Sequence, residues 1–208
     1  MKNGLLVPAV HCIIRVCYWL NVVEYVKLFS ICIYATHRSG DFTVEHKRLA
    51  ASLGIDFFQL AKYLTIVILL LYDIPLVWTK YVVYYLITSN AFTYFYYHAW
   101  GSQYLQRDDL NSQRRRLLNL LLAIVFYILC YAYLYKVHFP QHIQWPDGQI
   151  DTTNALYLSV ANAFTLTYGG FAPKTQIVRV LFMSELINTF LFFTIVVSNS
   201  IPSLTTKE

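Results

Sequence analysis

Residues 165–173 read TLTYGGFAP. This polar, glycine-bearing segment, closed by a proline, lies between two long apolar runs, 117–137 and 176–200, and its reading decides the fold. The residues before it, 152–164 (TTNALYLSVANAF), suit a short helix, with Thr152 or Thr153 placed to cap it. Such a helix rises only ~1.5 Å per residue and falls short of the roughly 20 residues that a bilayer crossing needs. If both flanking runs cross a membrane, they run in opposite directions, so 152–173 enters and leaves on one side. Non-helical backbone at membrane depth is tolerated only where protein buries it or where it lines a watery path. Two readings follow: a re-entrant pore loop, or a surface helix with an ordinary loop.

Composition supports a membrane setting. Of 208 residues, 57% are hydrophobic and only 13% charged, where a soluble domain carries about a quarter charged. Mean hydropathy is +0.46. The 18 Tyr and 4 Trp suit the aromatic belts where lipid meets water. The net charge of +5 comes from basic residues clustered at the ends of apolar runs. That placement fits topology determinants, not nucleic-acid binding. Cys12, Cys17, Cys32 and Cys130 all fall in apolar stretches without metal-ligand spacing, so neither a zinc site nor a disulfide framework is expected. The N-terminal apolar run contains Arg15, Glu24 and Lys27 and lacks a small-residue cleavage site. It is read as part of the mature chain.

Along the chain, residues 4–35 form a first helical region broken by Pro8, His11, Arg15, Asn21, Glu24 and Lys27. It has no single amphipathic stripe, and both a crossing and an interfacial position stay open. Residues 36–55 read as a polar connector, 56–73 as a second helix ended by Asp73 and Pro75, and 79–99 as a third. The charged stretch QRDDLNSQRRR, 106–116, precedes the strongest apolar run, and Pro146-Asp147-Gly148 marks a turn after it. Basic residues before the second and fourth helices (Arg38, Lys47, Arg48; Arg114, Arg115, Arg116) put both loops on the cytoplasmic side. The loop 138–151 is then outside and the C-terminus inside. The domain organisation expected is an N-terminal membrane region, 1–105, with three helical segments, followed by 106–208.

Residues 154–200 resemble the pore module of potassium channels, prokaryotic two-transmembrane pores above all. Tyr157, Ser159 and Val160 fall on the pore-helix pattern of that family. Thr165, Leu166, Thr167, Tyr168 and Gly169 fall on its T-x-G-Y-G filter, and Pro173 on the proline beyond. Arg179, Val180, Leu181 and Glu185 match the start of its inner helix, in register without a gap. With 117–137 as outer helix, 152–173 as pore loop and 176–200 as inner helix, the resemblance covers residues 115–200. It implies an all-α integral membrane protein with extra N-terminal helices, assembled as a homotetramer in the lipid bilayer. Backbone carbonyls of four filters would replace the water shell of a permeating potassium or sodium ion. The negative end of each pore helix would face the axis.

Four positions depart from that pattern. Thr167 stands where the family has the first filter glycine, and a β-branched side chain there strains a left-handed backbone. Gly170 stands where it has an aspartate, and Ala161 lacks the carboxylate that some members pair with it. Thr189 occupies the site of a hinge glycine. The expectation is an ion channel for monovalent cations, potassium included, with reduced or altered selectivity. The alternative is a non-conducting, channel-like membrane scaffold or regulatory membrane protein.

Other constellations are weaker. Glu185 is an acid in an apolar helix, a functional position by default or a structural bond near the support of the loop. Asn188, Thr189, Thr194, Ser198 and Asn199 recur at helical spacing and fit either a wet cavity or bonds between helices. Asp147 and Asp151 in the outer loop either raise local cation concentration or are solvated turn residues. No run carries basic residues at every third position, so no voltage sensor is expected. His37 and His46 are candidate pH sensors. With no catalytic motif present, no enzymatic activity and no cofactor are expected. Regulation would fall to the N-terminal half, the 36–55 connector, the 100–116 stretch or a partner protein. The expected location is the cell membrane.

Overall fold

The computed structural model describes residues 6–37, 43–97, 110–166 and 169–200. These are almost wholly helical: α1 (Leu6–Leu20), α2 (Val22–His37), α3 (Val44–Leu71), α4 (Val77–Phe95), α5 (Leu110–Tyr133), α6 (Thr152–Ala163) and α7 (Gln176–Ser200). Two short strands, β1 (Ile143–Gln144) and β2 (Ala172–Pro173), pair antiparallel. Three helices are long and apolar enough to cross a membrane, at 44–71, 117–138 and 176–195, or four if the bent α1–α2 pair is one crossing. This architecture is compatible with an all-α membrane protein.

The chain divides into two compact units, 1–65 and 66–208. In the first, the helical region read over 4–35 consists of two helices, bent by 51° at Asn21. The Asn21 backbone N–H closes α1 onto the Tyr18 carbonyl (3.2 Å), and its side-chain oxygen accepts from the Val23 N–H (3.2 Å), capping α2. Glu24 then accepts from the Tyr18 hydroxyl (2.9 Å), a bond that crosses the bend, and pairs with Lys27 (2.8 Å) within α2.

The connector expected over 36–55 is also corrected. Helix α3 begins at Val44, because Glu45, Lys47, Arg48, Leu49, Ala50 and Ala51 are strong helix formers whatever their polarity. Thr43 precedes it, and its backbone N–H donates to His46 Nδ1 (3.4 Å), the reach-back half of a capping box. His46 also stacks on Tyr34 (6.2 Å) and so serves the fold. Similarly, α5 starts at Leu110, which places Arg114, Arg115 and Arg116 inside a helix instead of a preceding loop. The boundary expected at 105/106 lies outside the described residues, as does the end of the helix read over 79–99.

In the second unit, α5 packs against α4, α6 and α7. From Phe126 to Tyr135 every residue but the half-buried Leu129 is buried. Helix α4 turns Thr79, Val83, Ile87, Asn90 and Tyr94 inward, a spacing of three and four that makes one face. Asn90 and Tyr94 donate to the α5 carbonyls of Ala123 (3.3 Å) and Asn119 (2.7 Å). Helix α7 does the same with Val178, Leu181, Phe182, Glu185, Thr189 and Phe192, leaving Ile177, Val180, Met183, Ile187 and Phe190 exposed. Beyond Tyr133, α5 widens into a π-helical turn, Leu134–His138, in which the Phe139 N–H reaches the Leu134 carbonyl (3.0 Å). Pro140 then ends it.

Candidate functional site

Helix α6 is twelve residues long. Its first turn is capped by Asp151, whose carboxylate accepts from the Asn154 N–H (2.6 Å), not by Thr152 or Thr153. Asp151 outcompetes them because an ionised acceptor also favours the positive end of the helix. One face of α6 carries the small side chains Ala155, Ser159, Ala161, Asn162 and Ala163, all buried. Small residues let α6 approach α5 until the Ser159 hydroxyl lies 3.0 Å from the Ile128 carbonyl. The other face, Thr153, Tyr157, Val160 and Phe164, is exposed.

Glu185 of α7 is fully buried where α5, α6 and α7 meet. Its Oε2 accepts from the Tyr135 hydroxyl and from Asn162 Nδ2, both at 2.6 Å. Its Oε1 contacts the Ser159 hydroxyl. Asn162 also donates to the Phe182 carbonyl (3.1 Å). A buried carboxylate is costly unless its lone pairs are satisfied. Here donors from α6 and from the end of α5 satisfy them, so the acid works as a three-way clamp.

Two further hydroxyl pairs extend the seam between α5 and α7. Tyr127 meets Thr189 (2.8 Å), and Thr189 donates back to the Glu185 carbonyl (2.9 Å). Tyr131 meets Ser184 and accepts from Asn188, both at 2.9 Å. Tyr127, Tyr131 and Tyr135 stand four residues apart, hence on one helix face. Asn188 and Thr189 therefore bond between helices. Thr194 instead donates to the Phe190 carbonyl of its own helix (2.8 Å).

The loop after α6 begins with two backbone bonds to the helix end, Thr165 N–H to the Asn162 carbonyl (3.1 Å) and Leu166 N–H to the Ala161 carbonyl (2.8 Å). Thr165, Leu166, Gly169 and Gly170 are exposed. Thr167 and Tyr168 lie outside the described residues, and with them the strain expected at Thr167. Left-handed backbone occurs at Thr165 (φ 54°), Gly169 (φ 45°) and Gly170 (φ 96°). Only the first of these is unfavourable for its side chain.

A lysine anchors the other end of α6. Lys136 Nζ pairs with Asp73 (2.5 Å) in the α3–α4 turn and donates to the Thr152 hydroxyl (2.8 Å) and the Leu70 carbonyl (3.3 Å). Tyr135, Asn162 and Lys136 had not stood out in the sequence. The available signals were the Ser159–Asn162 spacing on one α6 face and the four-residue repeat of tyrosines in α5.

No group of His, Cys, Asp or Glu suited to a metal ion occurs among the described residues. Long apolar helices around a buried polar seam define the class, a helical protein compatible with a membrane. No protein family, curated protein or solved structure matches the chain.

Proposed function

We propose that the chain is a multi-pass protein of the cell membrane that assembles as a homotetramer around a cation-permeable pore. In this reading α5 is the outer helix, α6 the re-entrant pore helix, 164–173 the ion-contacting loop and α7 the inner helix. One observation carries it: a helix too short to cross, followed by an exposed loop with left-handed backbone, is clamped by buried Glu185 between two helices long enough to cross. Exposed loop carbonyls at membrane depth need protein or water beside them. A ring of identical chains around a wet axis supplies both. The exposed Tyr157, Val160 and Phe164 face of α6 suits contact with the neighbouring chain. Monovalent cations, potassium or sodium, are the expected permeant species, since backbone carbonyls replace a cation's water shell.

A second reading, a non-conducting scaffold with the same fold, is favoured by Thr167 and Gly170, which depart from the filter pattern. Purified protein reconstituted in potassium-loaded vesicles separates the two. The pore reading predicts protein-dependent cation efflux from vesicles holding tetramers. Tight vesicles holding tetramers favour the scaffold.

A further inference from the structure

We propose that Trp145, in the loop between α5 and α6, is a positioning residue that fixes the exit of the 164–173 loop. The proposal rests on the pore reading for its effect on ions, and on geometry alone for the brace itself.

The two ends of the 164–173 loop are held differently. The entry hangs on the last turn of α6 through the Thr165 and Leu166 amides. The exit is held from outside α6, by the 139–146 segment. There β1 and β2 pair Ile143 with Pro173 and Gln144 with Ala172, and the Lys174 N–H donates to the His142 carbonyl (2.9 Å). Pro173 has no N–H, so the ladder is short and a two-residue pairing is marginal on its own. Side chains must hold it. Ile143, Trp145 and Phe171 are all buried. The Trp145 ring meets Phe171 edge-on (5.6 Å), and Phe171 meets Tyr157 of α6 (5.9 Å). The Trp145 indole N–H donates to the Pro140 carbonyl (2.7 Å), which fixes the ring against its own loop. Pro146, next in sequence, covers Gly170, where an added Cβ would lie 3.7 Å from the proline Cβ. A Cβ on Gly169 would lie 3.6 Å from the Tyr157 hydroxyl. One aromatic chain, Trp145–Phe171–Tyr157, thus links the outer loop, the exit and α6. Trp145 reaches the ion-contacting backbone only through Phe171 and the ladder.

The test compares Trp145→Ala and Trp145→Phe with the wild type, as full chains in lipid vesicles. Hydrogen exchange is followed in peptides covering 170–174 and 177–190, alongside the potassium-to-sodium permeability ratio. Trp145→Ala is expected to speed exchange at 170–174 by about tenfold, as local opening does, while 177–190 keeps its protection and the permeability ratio shifts. Trp145→Phe, which keeps a ring against Phe171, is expected to restore most of both. Unchanged exchange at 170–174 in Trp145→Ala overturns the brace, as does equal loss of protection along 177–190. If the wild type passes no cations, the pore reading fails, and exchange alone decides on Trp145.

Discussion

Glu185 of α7 and Asn162 of α6 meet at 2.6 Å in a fully buried position. This bond, with those from Ser159 and Tyr135, fastens the short helix to the long one. Glu185→Ala removes the acceptor that these three donors share, leaving Ser159 the Ile128 carbonyl and Asn162 the Phe182 carbonyl. Hydrogen bonds to a carboxylate contribute more than neutral ones, so a loss on the order of 3 kcal/mol is expected. Glu185→Gln keeps one acceptor oxygen but turns an amide NH2 toward a donor, and falls between. Thermal unfolding in detergent should rank wild type, Glu185→Gln and Glu185→Ala in that order.

The tyrosine seam is expected to matter less per bond. Buried hydrogen bonds between membrane helices average about 0.6 kcal/mol, because the alternatives also find partners. Tyr127→Phe, which removes the bond to Thr189, should therefore lower unfolding stability by under about 1 kcal/mol. A double cycle with Thr189→Val should return a coupling of the same size.

How far the sequence reached differs element by element. Helices α6 and α7 were legible because each is bounded by strong local signals: polar turns, the glycine pair 169–170, Pro173, and an unbroken apolar run. The bend at Asn21 was not, since apolar residues continue on both sides and only the side-chain cap reveals it. The start of α3 is not legible from polarity, because charged residues such as Lys and Arg are good helix formers whatever their solubility. Glu185 stood out as an acid in an apolar helix. Its partners did not, because Tyr135, Ser159 and Asn162 come from other elements and only packing brings them together.

Thr165 holds a backbone angle, φ 54°, that a β-branched residue adopts at a cost. Strain of this kind is on the order of 1–3 kcal/mol, partly offset by the freedom glycine adds to the unfolded chain. Thr165→Gly should therefore raise thermal stability by up to about 1 kcal/mol. A fall in the unfolding temperature would show that the threonine side chain contributes contacts worth more than the strain.

Lys136 and Asp73 form an uneven pair, with the lysine side chain 9% exposed and the aspartate 55%. Solvent screens the aspartate, so Asp73→Asn should change stability by less than about 1 kcal/mol. Lys136→Met also strands the Thr152 hydroxyl and the Leu70 carbonyl, and should cost about 2 kcal/mol. Either variant removes the ion pair, so raising the salt should narrow the gap between wild type and Asp73→Asn, while the extra cost of Lys136→Met over Asp73→Asn should persist at high salt.

In the first unit, α2 and α3 approach through Gly54. A Cβ there would lie 2.6 Å from Ser30 Cβ, closer than side chains tolerate. Gly54→Ala should destabilise that unit by about 1–3 kcal/mol. Adding Ser30→Gly removes the obstructing Cβ, and proteolytic resistance of residues 6–37 and 43–65 should partly return.

The central claim, that the 164–173 loop is the ion-contacting part of a cation pore, is tested most directly by single-channel recording of the purified chain in planar bilayers. The account predicts unitary cation currents whose potassium-to-sodium permeability ratio changes when Thr167 is replaced by glycine. Bilayers that stay silent with assembled tetramers present, or currents whose selectivity ignores every substitution between Thr165 and Gly170, would contradict it.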